Sequence, residues 1–100
     1  MDEVTTIEDI TVTIEEYRAE QELDKKDTVT ELIKAITVES SELLETTLFR
    51  DCINKDEVIH ELADVFIYCF ALASFMGVDV EDIINKKIEY NKNRGRTYDE

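Results

Sequence analysis

"DEVIHELADVFIYCFALASFMG", residues 56–77, contains no proline, ends in glycine, and from Leu62 onward is apolar on nearly every face of a helix. The pattern predicts a helix over 56–76, stopped at Gly77, because glycine enters the left-handed conformation that closes helices. A helix apolar all round has to be covered all round. Three neighbours drawn from a chain of 100 residues leave part of it bare. A partner chain is therefore expected over the remainder, in an obligate homodimer or homotetramer with this helix at or near its centre.

Working outward, "NKDE" supplies a break and a cap before this helix, and Asp79 caps the one that follows, with Asp82 favouring its positive end. In that fourth helix Val80, Ile83, Ile84 and Ile88 are expected to face inward until "NRGR" ends it near Gly95. Upstream, Val29, Leu32, Ile36, Leu43, Thr47 and Leu48 lie near one side of a helix expected over 28–50, with Asp27 as its cap. Ile7, Ile10, Ile14 and Tyr17 repeat at helical spacing over about 7–23, although the β-branched Thr11, Val12 and Thr13 weaken that helix. The reading is all-α: a four-helix, single-domain bundle over 1–100, with an N-terminal helix in 1–27, a motif-bearing core over 28–94 and a disordered tail at 95–100.

Two glycines and no proline suit long helices with short connections. A formal charge of -14 without a basic stripe excludes a nucleic-acid backbone binder, while leaving open a site for divalent cations that then accept phosphates. Apolar residues are too frequent for a disordered acidic chain. Cys52 and Cys69 form no metal signature and read as reduced thiols, Cys69 buried as a small hydrophobe. "MDEVTTIEDI" lacks the basic and apolar regions of a signal peptide, and the longest apolar run, Val65–Ala73, is too short to span a bilayer. A cytoplasmic protein without membrane association is expected.

Two carboxylate pairs interrupt the apolar stripes: Glu39 and Glu42 in "VESSELLE" (38–45), and Glu61 and Asp64 in "ELAD" (61–64). Residues three apart on a helix project about 60° apart, so each pair points together. If the second and third helices pack antiparallel, as the short "RDCINKDE" connection encourages, the pairs face each other. Either pair alone is also what a solvated acidic helix face looks like. Their combination on consecutive helices, beside the most apolar stretch of the chain, favours a cation site, since carboxylates held together repel or take up protons. Magnesium suits such oxygen ligands and keeps sites open for water and phosphate. On the fourth helix Lys87, Asn91 and Arg94 share one face in "KKIEYNKNR". They suit a polyphosphate, and equally a solvated C-terminal turn complementing the helix dipole.

The ordered set E-x-x-E, E-x-x-D and K-x-x-x-N-x-x-R, over roughly residues 28–94, resembles the MazG-like nucleotide pyrophosphohydrolases. That all-α superfamily includes dCTP pyrophosphatases, dimeric dUTPases and phosphoribosyl-ATP pyrophosphatases. The resemblance implies cleavage of a nucleoside triphosphate between the α and β phosphates, dependent on Mg2+ with Mn2+ as a substitute. It implies Glu39, Glu42, Glu61 and Asp64 as metal ligands, one of them also activating water, and Lys87, Asn91 and Arg94 as contacts to phosphates and sugar. Val38 stands where many relatives have a second acid, which leans toward the dCTP-pyrophosphatase-like branch. The chain has no tryptophan to hold a base as some of that branch do. Phosphoribosyl-ATP pyrophosphatase chemistry and a non-catalytic acidic interaction module are the alternatives. The only histidine, His60, reads as a surface or interface residue.

Overall fold

A computed structural model describes residues 4–94; Gly95 and the expected tail lie outside them. Four helices follow in order: α1 (Ile7–Glu20), α2 (Val29–Glu45), α3 (Lys55–Met76) and α4 (Val80–Asn93), with no strand among the described residues.

Local chemistry sets most helix ends. Thr6 caps α1, its hydroxyl accepting from the Asp9 amide while the Asp9 carboxylate accepts from the Thr6 amide, each at 3.0 Å. The threonines inside α1 do not break it, because Thr11 and Thr13 donate their hydroxyls to the carbonyls of Ile7 and Asp9. α3 starts after Asn54, whose Oδ1 accepts from the amides of Asp56 and Glu57 at 2.9 and 3.2 Å. It stops at Gly77, with φ 69°. A Cβ there would meet nothing within 4 Å, so the backbone angle alone calls for glycine. Asp79 caps α4 by accepting from the Asp82 amide at 2.9 Å, as expected.

Two boundaries differ from the periodic reading. α1 ends three residues early, where Leu23 N–H closes onto the Arg18 carbonyl and Glu22 takes φ 59°. α2 ends at Glu45 rather than near Arg50. Thr46 and Thr47 turn their hydroxyls back onto the carbonyls of Leu43 and Leu44 at 2.7 and 2.9 Å. Their amides tighten onto the same two carbonyls, and Phe49, in left-handed conformation at φ 58°, then turns the chain away.

Asp27 is not the cap of α2. Thr28 is, accepting from the Glu31 amide at 3.0 Å. Asp27 instead takes both guanidinium arms of Arg18, at 2.8 and 3.0 Å, while Arg18 also donates to the Leu23 carbonyl and lies over the Tyr68 ring. This bidentate pair is nearly buried and ties the end of α1 to the start of α2. Removing one partner of such a pair costs about 3–5 kcal/mol, because the other charge is stranded away from water.

α2 and α3 form an antiparallel hairpin that carries the main packed interface, around Leu32 at 2% exposure with Ile36 and Leu43 half-buried beside it. α1 leans on α3, and Ile10, Ile14 and Tyr17 border an apolar groove against Phe66, Ile67 and Phe70. α4 touches the rest of the chain only marginally.

The expectation of a covered third helix is not met within one chain. Of α3 only Ala71 and Ala73 are buried, and Phe66 is 55% exposed. The inward face expected of α4 is likewise open, with Ile83, Ile84 and Ile88 all exposed. Cys69, expected to be buried, is exposed and free, as is Cys52. The physical reason is geometric: α1 and α2 cover only two flanks of α3, and α4 swings away after Gly77 instead of closing the third. The radius of gyration, 16.3 Å, exceeds the ~13 Å of a compact domain of this length.

By length and composition α3, at 22 residues, is long and apolar enough to cross a bilayer, which corrects the argument from Val65–Ala73 alone. Asp64 lies at its midpoint, however, and an aspartate there costs about 2.5–3.5 kcal/mol in lipid.

Candidate metal centre

The antiparallel pairing of α2 with α3 brings the two acidic motifs together at mid-hairpin. One carboxylate oxygen from each of Glu39, Glu61 and Asp64 lies within 4.8 Å of the others, and all three residues are half-buried. Two oxygens on opposite sides of a magnesium ion at ~2.1 Å stand about 4.2 Å apart, so small side-chain adjustments would let the three share one.

Glu42 is not part of this triad. It is exposed, one turn along α2, and its charge bears on Glu39. The spacing of three aims Glu39 and Glu42 in similar directions, but α3 approaches along the line of Glu39.

The electrostatics fit a cation. Burial raises the Glu39 carboxyl above its ordinary range, and the negative charges of Glu42, Asp64 and Glu61 push in the same direction. Oε1 of Glu39 and Oε1 of Glu61 are both shut off from solvent without a hydrogen-bond partner. Buried carboxylate oxygens left unpaired are costly, and a divalent ion satisfies several at once. The donor set, all oxygen, suits magnesium or manganese rather than a thiolate-seeking metal.

The raised Glu39 carboxyl has a measurable consequence. Between the ordinary glutamate pKa, about 4.3, and the raised folded-state value, the folded protein binds more protons than the unfolded chain. Stability without metal therefore falls as pH rises through that interval. Thermal melts across this range in chelator are expected to show that decline in wild type and a flatter profile in Glu39→Gln. Magnesium at neutral pH should restore stability to wild type by favouring the ionised form. Equal slopes in the two proteins would contradict the assignment.

Lys87 holds its ammonium 4.6 Å from the centre of the Tyr90 ring, and the Arg94 guanidinium carbon lies 5.6 Å from it, both on their own helix. Asn91 is half-buried with an unpartnered Oδ1. Toward the α2–α3 turn Glu61, alone of the triad, borders a cavity of about 650 Å3, whose wall also includes Glu42, Thr46, Arg50, Asn54 and His60. His60 is exposed there, as expected of a surface residue. Arg50, Asn54 and Thr46 were not singled out by spacing. The one available signal was that Arg50 is the only basic residue between Lys34 and Lys55.

The sequence model of the MazG-like family matches residues 13–99, which reaches beyond the motifs into α1. Among solved structures, a pyrophosphatase from Archaeoglobus fulgidus DSM 4304 is similar at a TM-score of 0.80 and 25% sequence identity, over 100% of this chain and 98% of that one. No curated protein matches the sequence.

Proposed function

Because the chain belongs to the MazG-like family, we propose that it is a magnesium-dependent pyrophosphohydrolase that converts a nucleoside triphosphate to the monophosphate and pyrophosphate. The observation that carries this reading is the meeting of Glu39, Glu61 and Asp64 at mid-hairpin, with two of their oxygens buried and unpartnered. Half-buried carboxylates in a cleft also count against the acidic interaction module, which needs its charge on an open surface.

Glu39, Glu61 and Asp64 would hold the ion, with Glu42 beside them. Magnesium bound there supplies charge neutralisation on the phosphates and acidifies a coordinated water. The chain's own groups do the rest. A carboxylate of this cluster accepts the proton of the attacking water, which adds to the α-phosphorus as the bond to the bridging oxygen breaks. Lys87, Asn91 and Arg94 steady the polyphosphate or sugar, which requires Lys87 and Arg94 to leave the Tyr90 ring or α4 to reach the cavity of a second copy. A γ-directed hydrolase would usually carry a glycine-rich loop followed by lysine, and Gly77 and Gly95 stand in no such context.

Assembly is part of the proposal. The accessible surface of 7811 Å2 is about a third larger than the ~5,800 Å2 expected of a folded monomer of this mass. The exposed faces of α3 and α4 account for it in kind, and a homodimer or homotetramer would cover them.

Incubation of the protein with common NTPs and dNTPs, magnesium and heavy-oxygen water tests the chemistry. Monophosphate carrying the label, with unlabelled pyrophosphate, is expected. Label in pyrophosphate would mean attack at the β-phosphorus, and orthophosphate with a diphosphate would discard the mechanism.

A further inference from the structure

The cavity beside the carboxylate triad has a wall that is chemically lopsided. Glu42, Glu45, Asp56, Glu57 and Glu61 line it, and against these five carboxylates stands one permanent cation, Arg50. A triphosphate entering there meets repulsion that ions at the triad relieve only at the triad's end. The far end of the polyphosphate needs a fixed positive partner, and within one chain Lys87 and Arg94 are turned onto Tyr90 instead.

Arg50 is held in a way that leaves it available. It follows Phe49, at the left-handed turn that ends the α2 region, and its Nη1 donates to Glu57 Oε1 at 2.9 Å in a single contact. Glu57 is placed for this by Asn54, whose side chain caps the first turn of α3 and accepts from the Glu57 amide. The two side chains are 42% and 47% exposed. An exposed, single-contact pair contributes little and breaks at small cost, whereas a guanidinium matches two phosphate oxygens at once.

We infer that Arg50 binds the pyrophosphate end of the substrate, exchanging Glu57 for phosphate oxygens when the cavity fills. The inference rests on the pyrophosphohydrolase reading for its substrate and adds a residue outside the three motifs. Arg50 does not attack or transfer a proton; it fixes the leaving group at the α2–α3 turn, and holds product pyrophosphate until release.

Three variants separate this role from that of a turn staple. Arg50→Ala removes the cation, Arg50→Lys keeps charge without the fork, and Glu57→Gln breaks the same ion pair while freeing Arg50. Calorimetry with magnesium pyrophosphate is the primary measurement, with circular dichroism to verify folding and steady-state kinetics on whichever nucleotide is turned over. Arg50→Ala is expected to weaken pyrophosphate binding about tenfold or more, the usual weight of a charge-assisted contact, and to raise KM by a similar factor. Arg50→Lys should fall between it and wild type. Glu57→Gln should bind pyrophosphate as well as wild type or more tightly. Equal losses in Arg50→Ala and Glu57→Gln, or no loss in Arg50→Ala, would overturn the inference, as would wild-type protein that binds no magnesium pyrophosphate. Binding without turnover of any nucleotide would instead retract the hydrolase reading and leave the Arg50 result to stand by itself.

Discussion

Asp64→Asn is expected to reduce turnover about 10^3-fold while leaving the fold intact, since loss of metal-borne charge stabilisation removes several kcal/mol and each 1.36 is a factor of ten. The change keeps nearly the same volume and takes one negative charge from a half-buried trio. Without metal, the variant should therefore melt at the wild-type temperature or slightly above it. Magnesium affinity, read by calorimetry with a non-hydrolysable nucleotide, should fall together with turnover, because Asp64 is one of the three carboxylates that would hold the ion. Glu31→Gln serves as the comparison: it sits on α2, the helix that carries Glu39, is exposed and paired with Lys34, and should change neither quantity. An Asp64→Asn enzyme with wild-type activity and magnesium binding would remove Asp64 from the site.

The second large effect concerns assembly. Phe66 is 55% exposed on α3, so within a single chain a charge at this position would cost little. If a second copy covers it, Phe66→Asp buries an unpaired carboxylate in an apolar interface. Light scattering on wild type at micromolar concentration should give a dimer or tetramer. Phe66→Asp should shift it to monomer or to an unfolded chain, weakening association a hundredfold or more, on the order of a hot-spot loss of ~3 kcal/mol. Wild type that is a stable monomer, or a variant that assembles unchanged, would contradict the proposed homo-oligomer. Such a contact would couple to stability, since covering the apolar surface of α3 and α4 with a second copy would make folding dependent on protomer concentration.

How much was legible without coordinates depends on how local the deciding interactions are. The starts of α3 and α4 and the stop at Gly77 rest on contacts within a few residues: Asn54 with the Asp56 and Glu57 amides, Asp79 with Asp82, and one left-handed glycine. Those are written in residue type and spacing. The end of α2 was misplaced because Thr47 and Leu48 continue the apolar stripe while two threonine hydroxyls compete for the carbonyls that would have extended the helix. Asp27 departs from its expected capping role for a related reason. Next to Thr28 either residue could cap α2, and only the fold-back of the α1–α2 connection brings Arg18 to claim the aspartate.

By itself the sequence determined four helices, their order, and an acidic pair on each of two consecutive ones, because 3.6-residue periodicity and caps are short-range properties of the backbone. What only the tertiary structure decided is which of those groups meet. Glu39, Glu61 and Asp64 converge and Glu42 stands aside, since two cylinders touch along one line and only side chains on that line come within reach. It likewise decided that α3 and α4 keep apolar faces open and that Arg50 overlooks the carboxylates. Contacts between residues far apart in the chain depend on how helices cross and where a turn aims them, and no local pattern carries that information.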